Sequence, residues 1–232
     1  MNFSEKYLVL LLPSQWIKCH LLSKPLVFPI LMLSLFLGID HLGRFSYLSL
    51  LFFVTLHSNG YILPWKGIDY FIESCKLLAE KHPELKDELG VVVYGKDSEQ
   101  LKPLVPFQVY PLNYISNEKE LVDVYNAVDL FVTPSLEENL PNTIMEAMAC
   151  GIPCVGFNVG GIPEMIDHLH NGYVADYRSA EDFANGIRWA LSEGEYKSLS
   201  EEACRKAVTS YSESIIAKKY IDVYNKITGD YE

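Results

Sequence analysis

From residue 48 onward, short apolar runs alternate with stretches whose apolar residues recur at every third or fourth position, and this alternation leaves few folds open. Continuous apolar runs such as residues 91–94 and 130–133 suit strands buried on both faces. The stretches between them are long enough to cross over and return in parallel. The pattern reads as a βαβ array, an α/β fold with a doubly wound parallel sheet. Strands are expected at 50–56, 91–94, 107–110, 130–133 and 154–157, with a short one around Tyr173 and Val174. Helices are expected at 67–81, closed by Pro83, at 118–127, at about 141–150, and in two or three pieces out to Ile227.

The first 60 residues are a different polypeptide. They carry a net charge of +2, whereas residues 61–232 carry −13 of the total of −11. Apolar stretches at 25–39 and 45–56 are separated by Asp40, His41 and Arg44, and neither reaches the roughly 18–20 apolar residues that span a bilayer. No small-residue cleavage site follows Ile39. Residues 1–47 are therefore read as an apolar leader and not a globular domain, and 48–232 as the folded domain. Three readings of the leader stay open: a membrane-associated segment, packed or loose apolar cover, and sequence foreign to the parent protein.

The acidic balance argues against a nucleic-acid partner, because phosphate-backbone binding needs clustered Lys and Arg. Five cysteines at irregular spacing form no disulfide framework, which suits a reducing compartment. Cys150 and Cys154 have no second pair or histidine nearby to complete a metal site, so no metal is expected. His82, His168 and His170 lie at helix ends or in loops without a partner pattern and read as surface histidines.

In a parallel sheet, ligands bind where strands lead into helix N-termini. The richest such loop runs from Pro134 to Gly151. Pro141 suits the first helical turn and Gly151 the position just past the end, framing a helix of about ten residues whose free N-terminal amides would accept a phosphate. Glu138 precedes that helix and Glu146 lies within it. Thr143-x-x-Glu146 matches a capping box, but a start at Pro141 puts Glu146 too deep to cap. A carboxylate one turn inside an anion-binding helix suits a nucleotide, with phosphate at the amides and ribose hydroxyls at the carboxylate. Gly160-Gly161 leads into Ile162-Pro163-Glu164, and on its own reads as a tight strand-to-helix turn.

The segment PSLEENLPNTIMEAMACGIP, preceded by VYNAVDLFVTPS and followed by GFNVGGIPEMI and NGYVADY, resembles the C-terminal domain of the retaining glycosyltransferases of family 4, also called group 1. The likeness runs from about Lys66 to the C-terminus. It implies one Rossmann-like half of a GT-B fold, with the nucleotide-sugar donor bound in this half and the acceptor in the other. Residue by residue, it implies that Glu146 bonds the donor ribose and that Glu138 holds the sugar hydroxyls with the backbone of Asn139 and Leu140. The amides near Asn142 and Thr143 would meet the diphosphate, and Lys66 would neutralise the departing phosphate. Ile115, after Tyr114, would touch the base, and the Gly160-Gly161 backbone would approach the donor. No DxD motif is present, which fits a metal-independent site without a cofactor. Tyr61 stands where the family carries an arginine, and Asn113 where it carries a glycine.

The functional expectation is transfer of a sugar from a UDP- or GDP-sugar, with retention, to a glycan or lipid-linked acceptor in cell-envelope or capsule polysaccharide synthesis. The setting would be cytoplasmic, with the inner membrane face as an open contact. The alternative is a non-catalytic nucleotide-sugar-binding fragment or subunit, since too few residues precede the matched region to make an acceptor domain.

Overall fold

The computed structural model describes residues 48–53, 64–95, 98–112, 115–192 and 196–229. Six strands form one sheet: β1 (Leu48–Phe53), β2 (Leu89–Tyr94), β3 (Gln108–Leu112), β4 (Leu130–Thr133), β5 (Cys154–Phe157) and β6 (Gly172–Ala175). Their order is β3-β2-β1-β4-β5-β6 and every pairing is parallel. This is the doubly wound α/β arrangement that the alternating pattern implies, and β4 and β5 are direct neighbours. The order reverses between β1 and β4, which opens a crevice at their carboxyl ends.

β4 and β5 have the expected limits, and the other described strand limits differ from expectation by at most two residues. β2 begins at Leu89 because Leu89 and Gly90 find partners in Leu48 and Ser49 of β1, a register that periodicity cannot show. The expected end of β1, residues 54–56, lies outside the described residues, as do residues 1–47.

Seven helices are described: α1 (Ile68–Lys81), α2 (Glu118–Asn126), α3 (Asn142–Ala149), α4 (Ile162–Met165), α5 (Ala180–Ser192), α6 (Tyr196–Tyr211) and α7 (Glu213–Thr228). Alternate strand residues divide between two cores. Val91, Val93, Leu130, Val132, Val155 and Phe157 face α1 and α5, where they meet Phe71, Cys75, Leu78, Phe183 and Ile187. Val92, Phe131 and Cys154 point the other way, against Tyr125, Ile144, Met148, Ala203 and Tyr211. Each fully buried large side chain contributes roughly 1.5–3 kcal/mol, so the two layers clamp the sheet from both sides. Phe157 sits at the centre of one layer, 5.7 Å from the Tyr70 ring and 4.9 Å from Phe183.

One local reading is corrected. Pro141 is not in the first helical turn: its ψ of 117° is extended, so it is the N-cap of α3 and Asn142 is the first helical residue. Gly151, by contrast, adopts φ +74° just past the end of α3. Its amide donates to Met148 (2.9 Å) and that of Ile152 to Ala147 (2.9 Å), a Schellman closure. His168 is exposed but does have partners. Its Nδ1 accepts the Val174 amide at 3.1 Å, and its ring lies 4.6 Å from that of Tyr173. No helix among the described residues is long and apolar enough to cross a membrane.

Candidate donor site at the β1/β4 crevice

The crevice is built from the segments that follow β1, β4 and β5. Pro64–Lys66 form a single 3₁₀ turn before α1. Gly67 then caps α1 in the left-handed region, at φ +65°, and a Cβ there would lie 1.8 Å from the Pro134 carbonyl oxygen. Glycine is required by both backbone and space, and the close approach carries the Lys66 segment onto the β4–α3 loop. The Leu136 amide donates to the Trp65 carbonyl at 2.7 Å and secures the contact. Lys66 and Glu138, 72 positions apart, meet as an ion pair with Nζ 2.7 Å from Oε1. The side chains keep only 26% and 16% of their exposure.

The β5–α4 turn closes the other flank. A Cβ on Gly160, at φ +55°, would come within 1.6 Å of the Glu138 carbonyl oxygen, and one on Gly161 within 2.1 Å of the Asn139 oxygen. The Gly161 amide donates to that Asn139 oxygen at 2.6 Å. The glycine pair therefore has a packing cause of its own, since it lets the Glu138-Asn139 backbone lie against the turn. Asn139 and Leu140 are exposed at the lip of the crevice.

α3 points its N-terminus into the same region. Its first intrahelical acceptor is the Pro141 carbonyl, which takes the Ile144 amide at 3.2 Å. The amides of Asn142 and Thr143 precede that bond, and Pro141 has no side-chain group to cap them. They are donors with a partial positive charge behind them.

Glu146 lies one turn further in and is half-buried. Its Oε2 accepts from the Tyr125 hydroxyl at 2.9 Å, and the same hydroxyl lies 3.4 Å from the Thr143 carbonyl oxygen. Burial pushes the carboxyl above its ordinary pKa and nearby Glu118 adds to the rise, while the Tyr125 hydrogen bond opposes it. A side chain bonded to α2 from the second turn of α3 is not a capping residue. Tyr125 escaped sequence reading because nothing in its spacing distinguishes a buried tyrosine with a hydroxyl partner from a core aromatic.

Ile115 packs against the core layer that contains Tyr125. Its carbonyl accepts from the Tyr94 hydroxyl at 2.9 Å, and its amide donates to the same oxygen at 3.3 Å. Tyr61, Asn113 and Tyr114 lie outside the described residues. Cys154 is fully buried and burial raises its thiol pKa, while that of Cys150 is pushed up to about 12. Among the described residues no three His, Cys, Asp or Glu side chains group as metal ligands.

Residues 55–207 match the family model described as glycosyl transferases group 1. The chain belongs to this family. Among its curated relatives is the N,N'-diacetylbacillosaminyl-diphospho-undecaprenol alpha-1,3-N-acetylgalactosaminyltransferase of Campylobacter jejuni, 28% identical over 164 residues, which are 70% of this chain and 42% of that protein. The chain spans less than half the length of that relative. HepE of Anabaena, solved with UDP-glucose, superposes with a TM-score of 0.65 at 21% identity, over 85% of this chain and 52% of that one. The C-terminal domain of the group 1 protein LpcC from Francisella tularensis gives 0.58 at 22% identity, over 72% of this chain and 87% of that domain. At these identities the structural likenesses establish the fold, a parallel Rossmann-like sheet of the kind that forms one half of GT-B glycosyltransferases.

Proposed function

We propose that residues 48–232 are the donor-binding, C-terminal half of a retaining family 4 glycosyltransferase. In this reading it binds a UDP- or GDP-sugar and passes the sugar to a glycan or lipid-linked acceptor in cell-envelope or capsule polysaccharide synthesis, at the cytoplasmic side of the membrane. The observation that carries it is the crevice itself: an uncapped helix N-terminus, a half-buried carboxylate one turn inside it, and a lysine–glutamate pair that joins the β1–α1 segment to the β4–α3 loop. The α3 amides suit a diphosphate, and Glu146 suits two ribose hydroxyls. Lys66 suits the charge that grows on the leaving nucleoside diphosphate, and Glu138 the hydroxyls of the sugar. Asn139, Leu140, Gly160 and Gly161 would line the sugar side, with Ile115 toward the base. The match to an isolated C-terminal domain over 87% of its length supports the placement in the second half of such enzymes.

A second reading is a nucleotide-sugar-binding module without catalysis. Calorimetric titration with UDP, GDP, ADP and their sugar conjugates tests the first element of both readings. Saturable binding of a uridine or guanosine diphosphate is expected, and no binding of any would refute both. Glycosyl transfer or donor hydrolysis by the purified chain then separates them. For the leader, deletion of residues 1–47 is expected to leave a folded protein that still binds nucleotide. Unfolding on that deletion would move the boundary.

A further inference from the structure

The two side chains that the proposed reading assigns to different parts of the donor are bonded to each other. Lys66 Nζ donates to Glu138 Oε1 at 2.7 Å, and both side chains are largely withdrawn from solvent. The backbone beneath them is pinned. Gly67 is wedged against Pro134, the Leu136 amide holds the Trp65 carbonyl, and the Gly160-Gly161 turn abuts Glu138 and Asn139. Any change at this pair must therefore be a rotation of the side chains, which the four-carbon lysine stem permits.

A diphosphate entering the crevice is a stronger acceptor for the ammonium than a single carboxylate. Drawing Lys66 away leaves the Glu138 carboxylate half-buried, next to a new negative charge and short of a donor, which is unfavourable. A nucleoside diphosphate offers that carboxylate nothing. A nucleotide-sugar offers hydroxyl donors at the place where the carboxylate is uncovered. Resting on the reading above, we infer that Glu138 competes with bound diphosphate for Lys66, so that the site favours the intact nucleotide-sugar over the nucleoside diphosphate left after transfer. Once the sugar has gone, Glu138 takes Lys66 back and product release is favoured. Glu138 thereby becomes a specificity-determining residue that separates substrate from product.

The test is titration of wild type, Glu138→Gln and the Lys66→Met/Glu138→Gln double variant with UDP and UDP-glucose, or with GDP and GDP-mannose if wild type selects guanosine. The amide keeps the side-chain shape and removes the charge. Glu138→Gln is expected to tighten the nucleoside diphosphate roughly three- to tenfold and to weaken the nucleotide-sugar, so that the ratio of the two affinities collapses. The gain for the diphosphate should vanish in the double variant, because it runs through Lys66. If Glu138→Gln weakens both ligands or leaves the diphosphate unchanged, Glu138 positions Lys66 instead of competing for it, and the inference is wrong. That result would leave the donor-site reading intact provided wild type binds nucleotide. If wild type binds neither ligand of either pair, the reading fails and the inference with it. Thermal melts confirm that each variant is folded, and Glu138→Asp, one methylene short with the charge kept, should fall between wild type and the amide.

Discussion

Replacing Glu146 with glutamine separates function from structure at the centre of the crevice. In the free protein the carboxylate is half-buried, accepts from Tyr125 at 2.9 Å, and has its pKa raised chiefly by burial. A carboxyl whose folded pKa is raised contributes stability below its unfolded pKa of about 4.3, and loses that contribution as pH rises through the folded value. At pH 7 the ionised group is therefore a cost. Glutamine keeps an acceptor for Tyr125 and removes the charge, so the variant should melt at the same temperature as wild type or higher. The gap between the two should widen as pH climbs from about 4 and close again toward acid. Ligand affinity should move the other way. Losing a charged acceptor for ribose hydroxyls costs about 1.5–3 kcal/mol, roughly a ten- to hundredfold rise in Kd for the nucleoside diphosphate. Differential scanning fluorimetry across pH and calorimetry at pH 7.5 give the two readouts. A sharp fall in melting temperature with binding intact would show that Glu146 is structural and refute this account of the site.

Other perturbations follow from the same contacts. Tyr125→Phe removes the hydrogen bond that opposes the rise in Glu146, so the carboxyl should titrate higher still and stability should fall by about 1 kcal/mol, readable by NMR titration and urea melts. Gly160→Ala would place a Cβ 1.6 Å from the Glu138 oxygen at positive φ, and should cost more than about 2 kcal/mol and displace the β4–α3 loop, seen as lost thermal stability together with lost nucleotide binding. Phe157→Ala, between Tyr70 and Phe183, should cost about 3–5 kcal/mol in chemical denaturation.

Much of this architecture was legible because burial on both faces writes itself into composition. Runs such as Leu130–Thr133 and Cys154–Phe157 lie wholly in the interior, so they read as continuous apolar segments and became central strands. α3 was framed correctly at its end, because Gly151 meets a conformational demand that few residues can. Its start lies one residue later than the sequence suggests, since proline fits both N-cap and first-turn positions and only ψ separates them. What could not be read were the partners across loops. Lys66 and Glu138 meet only because Gly67 brings the β1–α1 segment onto Pro134, and Gly160 has its cause in a carbonyl from another loop. The Tyr125–Glu146 bond joins two helices whose relative placement the sheet order sets. Spacing along a chain carries periodicity and caps, but not which loop will lie against which.

In the proposed function a nucleoside diphosphate occupies the β1/β4 crevice with its phosphates at the head of α3. Backbone amide shift mapping by ¹H–¹⁵N NMR, with the tightest-binding nucleotide added stepwise, tests it most directly. The largest shifts are expected at Asn142 and Thr143, followed by Gly160, Gly161 and Lys66, with the amides of α7 unmoved. Saturable shifts confined to another surface, such as the shallow depression lined by Asn158, Asp167 and His168, with Asn142 and Thr143 unchanged, would contradict it.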